Sequence, residues 1–146
     1  MGEALEKARA AKDASRRIGM LGSAERAQVI CAMAQHLRTH GSAILVANAV
    51  DVADARAAGV AASLVDRLML DEGRVEAMAR GLEEVASQPD PLGRTLEGSV
   101  LSNGLSVQKV TVPMGVVAIV YEARPNVTSD AAGICLQAGN ACILRG

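Results

Sequence analysis

One short apolar run near the end of the chain constrains the fold more than any other feature. Residues 116–120, Val-Val-Ala-Ile-Val, are mostly β-branched, which is typical of a strand buried on both faces of a parallel sheet. Residues 128–138 then predict a helix that Gly139-Asn140 would end, and residues 141–144 supply a second apolar strand. Strand, helix and parallel strand in this order make a βαβ unit, so the sequence predicts an α/β fold.

The polar loop between the first strand and the helix is the candidate site. It reads Tyr-Glu-Ala-Arg-Pro-Asn over residues 121–126 and lies at the carboxyl end of the strand, where open α/β sheets bind their ligands. We expect Thr128 or Ser129 to cap the helix, with Asp130 in its first turn. Asn126 could act in ligand binding at this loop or simply cap the helix, because asparagine is itself a favoured helix cap.

The composition excludes several classes of protein. The chain has 146 residues, the size of one ordinary domain, with a formal net charge of -1, one Tyr and no Phe or Trp. It therefore lacks both the basic surface and the stacking side chains that nucleic-acid binding uses. The N-terminus is charged and amphipathic, and no span of about 20 apolar residues follows, so we expect neither secretion nor membrane insertion.

The cysteines indicate a reducing compartment. Cys31, Cys135 and Cys142 are odd in number, have no metal-ligand spacing, and each lies within an apolar run. We therefore expect three buried, reduced thiols in a cytoplasmic protein and no metal site.

The first 88 residues have helical periodicity almost throughout. Apolar residues recur at three- and four-residue spacings, and Pro89 and Pro91 then prevent any regular element. Gly41 and Gly59 are predicted to end the second and third helices. The predicted helix caps are Ser23, Ser42 and Asp71.

Two polar pairs in this helical part have structural interpretations. We expect Asn48 and Asp51 to be local hydrogen-bonding or solvated positions. We expect Asp66 and Arg67, adjacent and oppositely charged, to form a surface ion pair of small energetic value.

Residues 95–112 have an extended pattern instead. Asn103-Gly104 stands between alternating apolar residues, which predicts a hairpin with a type I′ turn. A two-stranded ribbon is marginally stable alone and needs a surface to pack on. That surface could be another sheet, a helix or a second subunit, and we infer that the protein forms oligomers.

Several stretches together resemble one enzyme family. They are Pro113-Met-Gly-Val-Val-Ala-Ile-Val-Tyr-Glu-Ala-Arg-Pro-Asn-Val-Thr and Ala138-Gly-Asn-Ala-Cys-Ile-Leu-Arg-Gly, with Ala47-Asn-Ala-Val-Asp, Asp66-Arg-Leu-Met-Leu and Asn103-Gly-Leu upstream. In this order they resemble the N-terminal third of the glutamate-5-semialdehyde dehydrogenases, or gamma-glutamyl phosphate reductases, of the aldehyde dehydrogenase superfamily. General aldehyde dehydrogenases carry a Trp-Asn pair where this chain has Pro125-Asn126.

The resemblance implies an organisation into three parts. Residues 1–92 would be the N-terminal helical part of the cofactor domain, residues 93–112 an oligomerisation ribbon, and residues 113–146 the start of a Rossmann-like NADP-binding βαβ core. None of the three cysteines lies in a motif matching the family's nucleophile. We therefore expect this chain to be a portion of a larger enzyme, without the catalytic domain and inactive alone.

The resemblance also implies a reaction. It is the NADPH-dependent reduction of L-glutamyl 5-phosphate to glutamate 5-semialdehyde and phosphate, in proline biosynthesis, by a cytoplasmic homo-oligomer. A cysteine thiolate would displace phosphate, and hydride would reach the resulting thioester. Asn126 matches the superfamily asparagine whose amide donates to the oxyanion.

The remaining site residues follow from the same resemblance. Arg145 would pair with the 2′-phosphate of NADP, and Arg124 would offer charge to the pyrophosphate or the substrate carboxylate, unless it pairs structurally with Glu122. Gln137 departs from the family, which has a lysine there. The residues implied in cofactor binding are Glu122, Ala123, Arg124, Pro125, Arg145 and Gly146.

Two other functions stay open at the level of sequence. One is a non-catalytic module that binds a nucleotide or a partner protein. The other is an aldehyde dehydrogenase relative with a different acyl substrate, against which the Glu-Ala-Arg-Pro-Asn motif speaks.

Overall fold

A computed structural model describes residues 2–122 and 124–146 of the chain. These residues form six helices and four strands, in the predicted order of helices, hairpin and βαβ unit. The elements are α1 Gly2–Ile18, α2 Ser23–Thr39, α3 Gly41–Ala57, α4 Ala62–Leu68, α5 Glu72–Ser87, β1 Thr95–Val100, β2 Ser106–Val110, β3 Val116–Val120, α6 Pro125–Gln137 and β4 Ala141–Arg145. Within the described part of the chain, no helix is both long and apolar enough to cross a membrane.

The helix caps agree with the sequence in one case of three. Asp71 caps α5 as predicted, its carboxylate accepting from the Arg74 backbone N–H at 2.7 Å. Helix α2 is instead capped at Gly22, whose backbone N–H donates to the Glu25 carboxylate at 2.7 Å, so Ser23 is already helical.

The junction of α2 and α3 also differs from the prediction. His40 alone separates the two helices, because its N–H donates to the His36 carbonyl of α2 while its carbonyl accepts from Ile44 of α3. Gly41 therefore begins α3 rather than ending α2, and Ser42 is not its cap.

The core lies between α2 and α5, with α6 packed across it. Ile30, Ala34, Ala79 and Leu82 are completely buried. Gly133 of α6 faces Leu82 so closely that a Cβ on this residue would lie 2.5 Å from the Leu82 Cδ2 atom. The absence of a side chain at Gly133 therefore sets how closely α6 approaches the core.

Two polar side chains hold the segment after α4. The buried Asn48 amide donates to the Leu68 carbonyl at 2.9 Å, and its oxygen accepts from the Leu70 N–H at 2.7 Å. These bonds are not local, as the sequence had suggested, but join α3 to a segment about 20 residues later. Asp66 pairs with Arg74 at 3.1 Å and not with its neighbour Arg67.

The βαβ unit has the predicted order and parallel pairing, but β3 is not buried on both faces as predicted, since Ala118 and Val120 are exposed. Strands β3 and β4 pair in parallel, with Val116 opposite Ala141 and Val120 opposite Arg145. Gly139, at φ +69°, ends α6, and the Asn140 N–H reaches back to the Cys135 carbonyl at 2.8 Å in a Schellman motif. A Cβ on Gly139 would also lie within 3 Å of both Leu92 and Pro113, the residues on either side of the hairpin.

The hairpin forms, but its turn is not the predicted one. Strands β1 and β2 are antiparallel, and every residue of both is exposed. The Leu101 N–H donates to the Leu105 carbonyl and the Gly104 N–H to the Leu101 carbonyl, both at 2.9 Å, so the loop has three residues. Only Gly104, at φ +85°, needs glycine's freedom, as in a type I turn closed by a bulge.

Candidate functional site

Helix α6 starts earlier than the sequence suggested. Pro125 is its first residue and Arg124 its N-cap, so the predicted caps at Thr128 and Ser129 are wrong. Proline suits this position because its ring presets the helical φ and it has no N–H to satisfy. The Thr128 hydroxyl instead shares a hydrogen bond of 2.6 Å with the Tyr121 hydroxyl, and the Ser129 hydroxyl donates to the Asn126 carbonyl.

Asn126 lies exposed in the first turn of α6. Its Nδ2 donates to the Asp130 Oδ2 atom, one turn later, at 3.2 Å. Asn126 is the second residue of the helix and Arg124 its N-cap, and no side chain of the described residues caps α6, so the capping interpretation of Asn126 is wrong. The amide is oriented by a carboxylate and still has a second N–H to donate.

Arg124, Pro125 and Asn126 line one side of a cleft of about 360 Å³. The other side comes from α4 and the start of α5, where Arg67 and Arg74 contribute positive charge. Apolar surface between them comes from Met69, Leu70 and Ala77. The sequence did not indicate that the α4–α5 corner would meet the loop, since the hairpin and most of α5 lie between them along the chain.

Arg145 and Gly146 occupy a separate position at the carboxyl end of β4. The Tyr121 N–H donates to the Arg145 carbonyl at 2.9 Å, so the ends of β3 and β4 lie side by side. The Arg145 side chain is exposed, and its guanidinium contacts the Gly146 carbonyl. A Cβ on Gly146 would lie 3.0 Å from the Tyr121 ring.

The other implied site residues are less constrained. Glu122 is exposed, and Ala123 lies outside the described residues. No ion pair joins Arg124 to Glu122 within residues 2–122 and 124–146, so the structural alternative for Arg124 does not hold. Gln137 is buried and its amide donates to the Gln88 carbonyl at 3.2 Å, which ties α6 to the end of α5.

The cysteines differ in their surroundings. Burial raises the pKa of the Cys135 thiol and that of the Cys142 thiol, which makes both poor nucleophiles. Contrary to the prediction of three buried thiols, Cys142 is only partly buried and Cys31 is exposed, because Cys31 follows Ile30 on α2 and so faces away from the core. All three thiols are free in the described part of the chain.

A parallel βαβ unit with a polar loop at its strand ends, preceded by helices and an exposed hairpin, makes this an α/β chain with a candidate ligand site at the carboxyl end of β3. Known proteins of similar sequence carry one enzyme name. The chain is 51% identical over 140 residues to a gamma-glutamyl phosphate reductase of Caldanaerobacter subterraneus subsp. tengcongensis, covering 96% of this chain and 34% of that protein. It is 50% identical over 138 residues to the enzyme of the same name in Methylocella silvestris, covering 94% and 32%.

The same family appears among solved structures. The crystal structure of gamma-glutamyl phosphate reductase from Thermotoga maritima superposes with a TM-score of 0.95 at 38% identity, covering 99% of this chain and 35% of that one. No protein-family model matches the chain. The chain is therefore similar over nearly its whole length to gamma-glutamyl phosphate reductases, and it spans about a third of the length of the relatives it matches.

Proposed function

We propose that this chain is part of an NADPH-dependent reductase that converts L-glutamyl 5-phosphate to L-glutamate 5-semialdehyde and phosphate, in proline biosynthesis. One observation carries the proposal. Asn126 lies in a positively charged cleft at the carboxyl end of β3, in a chain about half identical to enzymes of that name. An anionic acyl substrate suits both the charge and the position.

Asn126 would stabilise the oxyanion of the tetrahedral species. A neutral donor suits this task, because negative charge develops on the carbonyl oxygen only as the transition state forms. Asp130 accepts from the Asn126 amide nitrogen at 3.2 Å, which orients the amide and leaves its second N–H for the substrate. Asp130 is therefore a positioning residue in this proposal.

Arg145 would favour NADP over NAD. Its exposed guanidinium at the carboxyl end of β4 suits a 2′-phosphate, since an arginine fork matches phosphate oxygens. Pro125 and Glu122, on the loop after β3, would line the path of the cofactor, with Ala123 between them. NADP(H) would supply the hydride when bound.

The nucleophilic cysteine would come from outside this chain. Cys135 and Cys142 have raised pKa values, and Cys31 lies on the outer face of α2, not in the cleft. Residues 1–92 and 113–146 would form the start of the cofactor domain, and residues 93–112 would join subunits of a homo-oligomer. We place the enzyme in the cytoplasm, where unpaired cysteines are stable.

The role of Asn126 can be tested in an enzyme of the family's full length that carries this sequence. We expect Asn126→Ala to lower kcat by about 10²-fold or more while the affinity for NADPH stays nearly unchanged. Asn126→Asp should be at least as inactive, because a carboxylate cannot donate and repels the developing charge. Steady-state kinetics with glutamyl phosphate, beside thermal melts, measure both effects.

Asp130→Asn is the matched control for folding and orientation. It keeps the size of the side chain and an acceptor oxygen, so a small loss of kcat is expected relative to Asn126→Ala. An Asn126→Asp enzyme with normal stability and normal kcat would rule out the oxyanion role. A wild-type enzyme that does not turn over glutamyl phosphate would rule out the proposed reaction.

A further inference from the structure

We propose that Arg67 and Arg124 form an anion subsite that binds the α-carboxylate of the substrate, in the cleft that Asn126 also lines. The inference rests on the proposed function and adds the group that recognises the amino-acid end of the substrate. Its starting point is the cleft of about 360 Å³ between the first turn of α6 and the α4–α5 corner. Three arginines and one aspartate line this cleft.

One of the three arginines is already engaged. Arg74 donates to the backbone carbonyls of Asp66 and Met69, and its Nη2 atom lies 3.1 Å from the Asp66 carboxylate. Arg74 therefore holds the end of α4 against the start of α5, and its charge is offset by that of Asp66. The net positive charge of the cleft comes from the other two arginines.

Arg67 and Arg124 are free to bind an anion. Both side chains are exposed, and neither forms an ion pair with an acidic residue among the described residues. They reach the cleft from different elements, Arg67 from α4 and Arg124 from the loop before α6. Asp66, the carboxylate of this cleft, is paired with Arg74. Two further guanidiniums without an ion-pair partner among the described residues favour an external carboxylate or phosphate.

The position of the subsite favours the carboxylate. Asn126 marks where the reacting acyl carbon would lie, so the leaving phosphate belongs beside Asn126 and departs during the reaction. The α-carboxylate stays on the molecule throughout and needs an anchor across the cleft, which Arg67 supplies from α4. Between the two, Met69, Leu70 and Ala77 offer apolar surface for the methylenes of a glutamyl chain.

The test uses the reverse reaction in the full-length enzyme, in which semialdehyde, phosphate and NADP are separate reactants. We expect Arg67→Gln and Arg124→Gln each to raise KM for glutamate 5-semialdehyde about tenfold, the loss of one charge-assisted hydrogen bond. The values of KM for phosphate and for NADP, and kcat, should change little, because the anchor acts equally in the ground and transition states. Arg67→Lys should restore part of the affinity.

Two controls isolate the carboxylate. Arg80→Gln removes an exposed arginine of α5 that faces Glu76 at 3.9 Å outside the cleft, and it should leave every constant unchanged. Butanal, an aldehyde without a carboxylate, should be oxidised equally by wild type and both variants. Thermal melts verify that the variants fold.

The outcomes separate the two proposals. A rise confined to KM for phosphate would assign the arginines to the phosphate, and a rise confined to KM for NADP would assign Arg124 to the cofactor; either overturns the carboxylate subsite. An active wild type with unchanged constants in both variants also overturns it, and the proposed function stands. An inactive wild type overturns the proposed function itself.

Discussion

At the scale of single residues, the close contact between α5 and α6 makes the clearest prediction. Gly133→Ala would place a methyl group about where the Leu82 side chain lies, because the added Cβ would be only 2.5 Å from Leu82 Cδ2. Leu82 is completely buried and cannot swing away freely. Overpacking destabilises the protein, and the better helix propensity of alanine stabilises it by less. We therefore expect the free energy of unfolding to fall by roughly 1–2 kcal/mol. Chemical or thermal unfolding measures it.

Gly81 provides the matched control for this prediction. It is also a glycine inside a helix, but a Cβ there would meet only the Asp130 carboxylate at 3.7 Å, an ordinary contact. Gly81→Ala should therefore be neutral or stabilising by about 0.5–1 kcal/mol. Equal stability changes in the two variants would contradict the close-packing argument.

Single residues also show where sequence reasoning stops. Asn126, Arg124 and Arg145 could be named from the sequence because the stretches that carry them are contiguous. The partner of Asp66 could not be named, since Arg74 reaches it only after the chain turns between α4 and α5. For the same reason the sequence predicts only a surface ion pair with Asp66 for Arg67: whether Arg67 lines the same cleft as Arg124 depends on how α4 packs against the loop.

At the scale of elements, the hairpin invites a test of assembly. Leu96, Leu105 and Val107 are large apolar residues on a ribbon that is exposed along its whole length. We propose that they pack against another subunit, since exposed apolar patches mark contact surfaces. The double variant Leu105→Lys, Val107→Lys, two residues apart and so on one face of the ribbon, should shift the mass of the full-length enzyme measured by light scattering to a smaller species.

Gln108→Lys is the control for this assembly test. Gln108 neighbours Val107 on β2, so its side chain points to the other face of the ribbon, and the substitution adds the same charge there. If the double variant keeps the mass of the wild-type enzyme, there is no interface on the Val107 face. A loss of mass in Gln108→Lys alone would place the interface on the opposite face.

Helix boundaries illustrate how local signals compete. The prediction for Asp71 is confirmed because its carboxylate accepts from the N–H of Arg74 three residues later, a bond within one turn that local sequence can indicate. Ser23 lost its capping role to Gly22, since Glu25 reaches back to the Gly22 N–H and starts the helix one residue earlier. In α6, Pro125 favoured the first helical position more strongly than Thr128 or Ser129 favoured the cap.

At the scale of the whole molecule, the chain should lack activity by itself. We predict that purified residues 1–146 neither reduce glutamyl phosphate with NADPH nor oxidise glutamate semialdehyde with NADP and phosphate. The two thiols nearest the core have raised pKa values, and Cys31 does not line the cleft. Absorbance of NADPH at saturating substrate measures this, and turnover lost in Cys135→Ser or Cys142→Ser would show that these thiols are reactive.

The order of elements could be predicted almost completely, and the way they pack could not. Apolar periodicity and turn residues are local, so they predict a helical first part up to residue 88, a hairpin and a βαβ unit. The core between α2 and α5 depends on which faces meet, and Cys31 was expected inside because an apolar neighbourhood does not say which side of the helix is buried. The close contact at Gly133 likewise has no local signature.

Gly139 links two parts of the molecule that would otherwise be independent. The residues where the ribbon leaves and rejoins the body, Leu92 and Pro113, both press against this one glycine at the end of α6. If a neighbouring subunit binds the ribbon and shifts it, the shift would be transmitted to the junction of α6 and β4. Arg145 lies at the other end of β4. Subunit association would then change the affinity for the nucleotide, and nucleotide binding would change the affinity between subunits by the same factor.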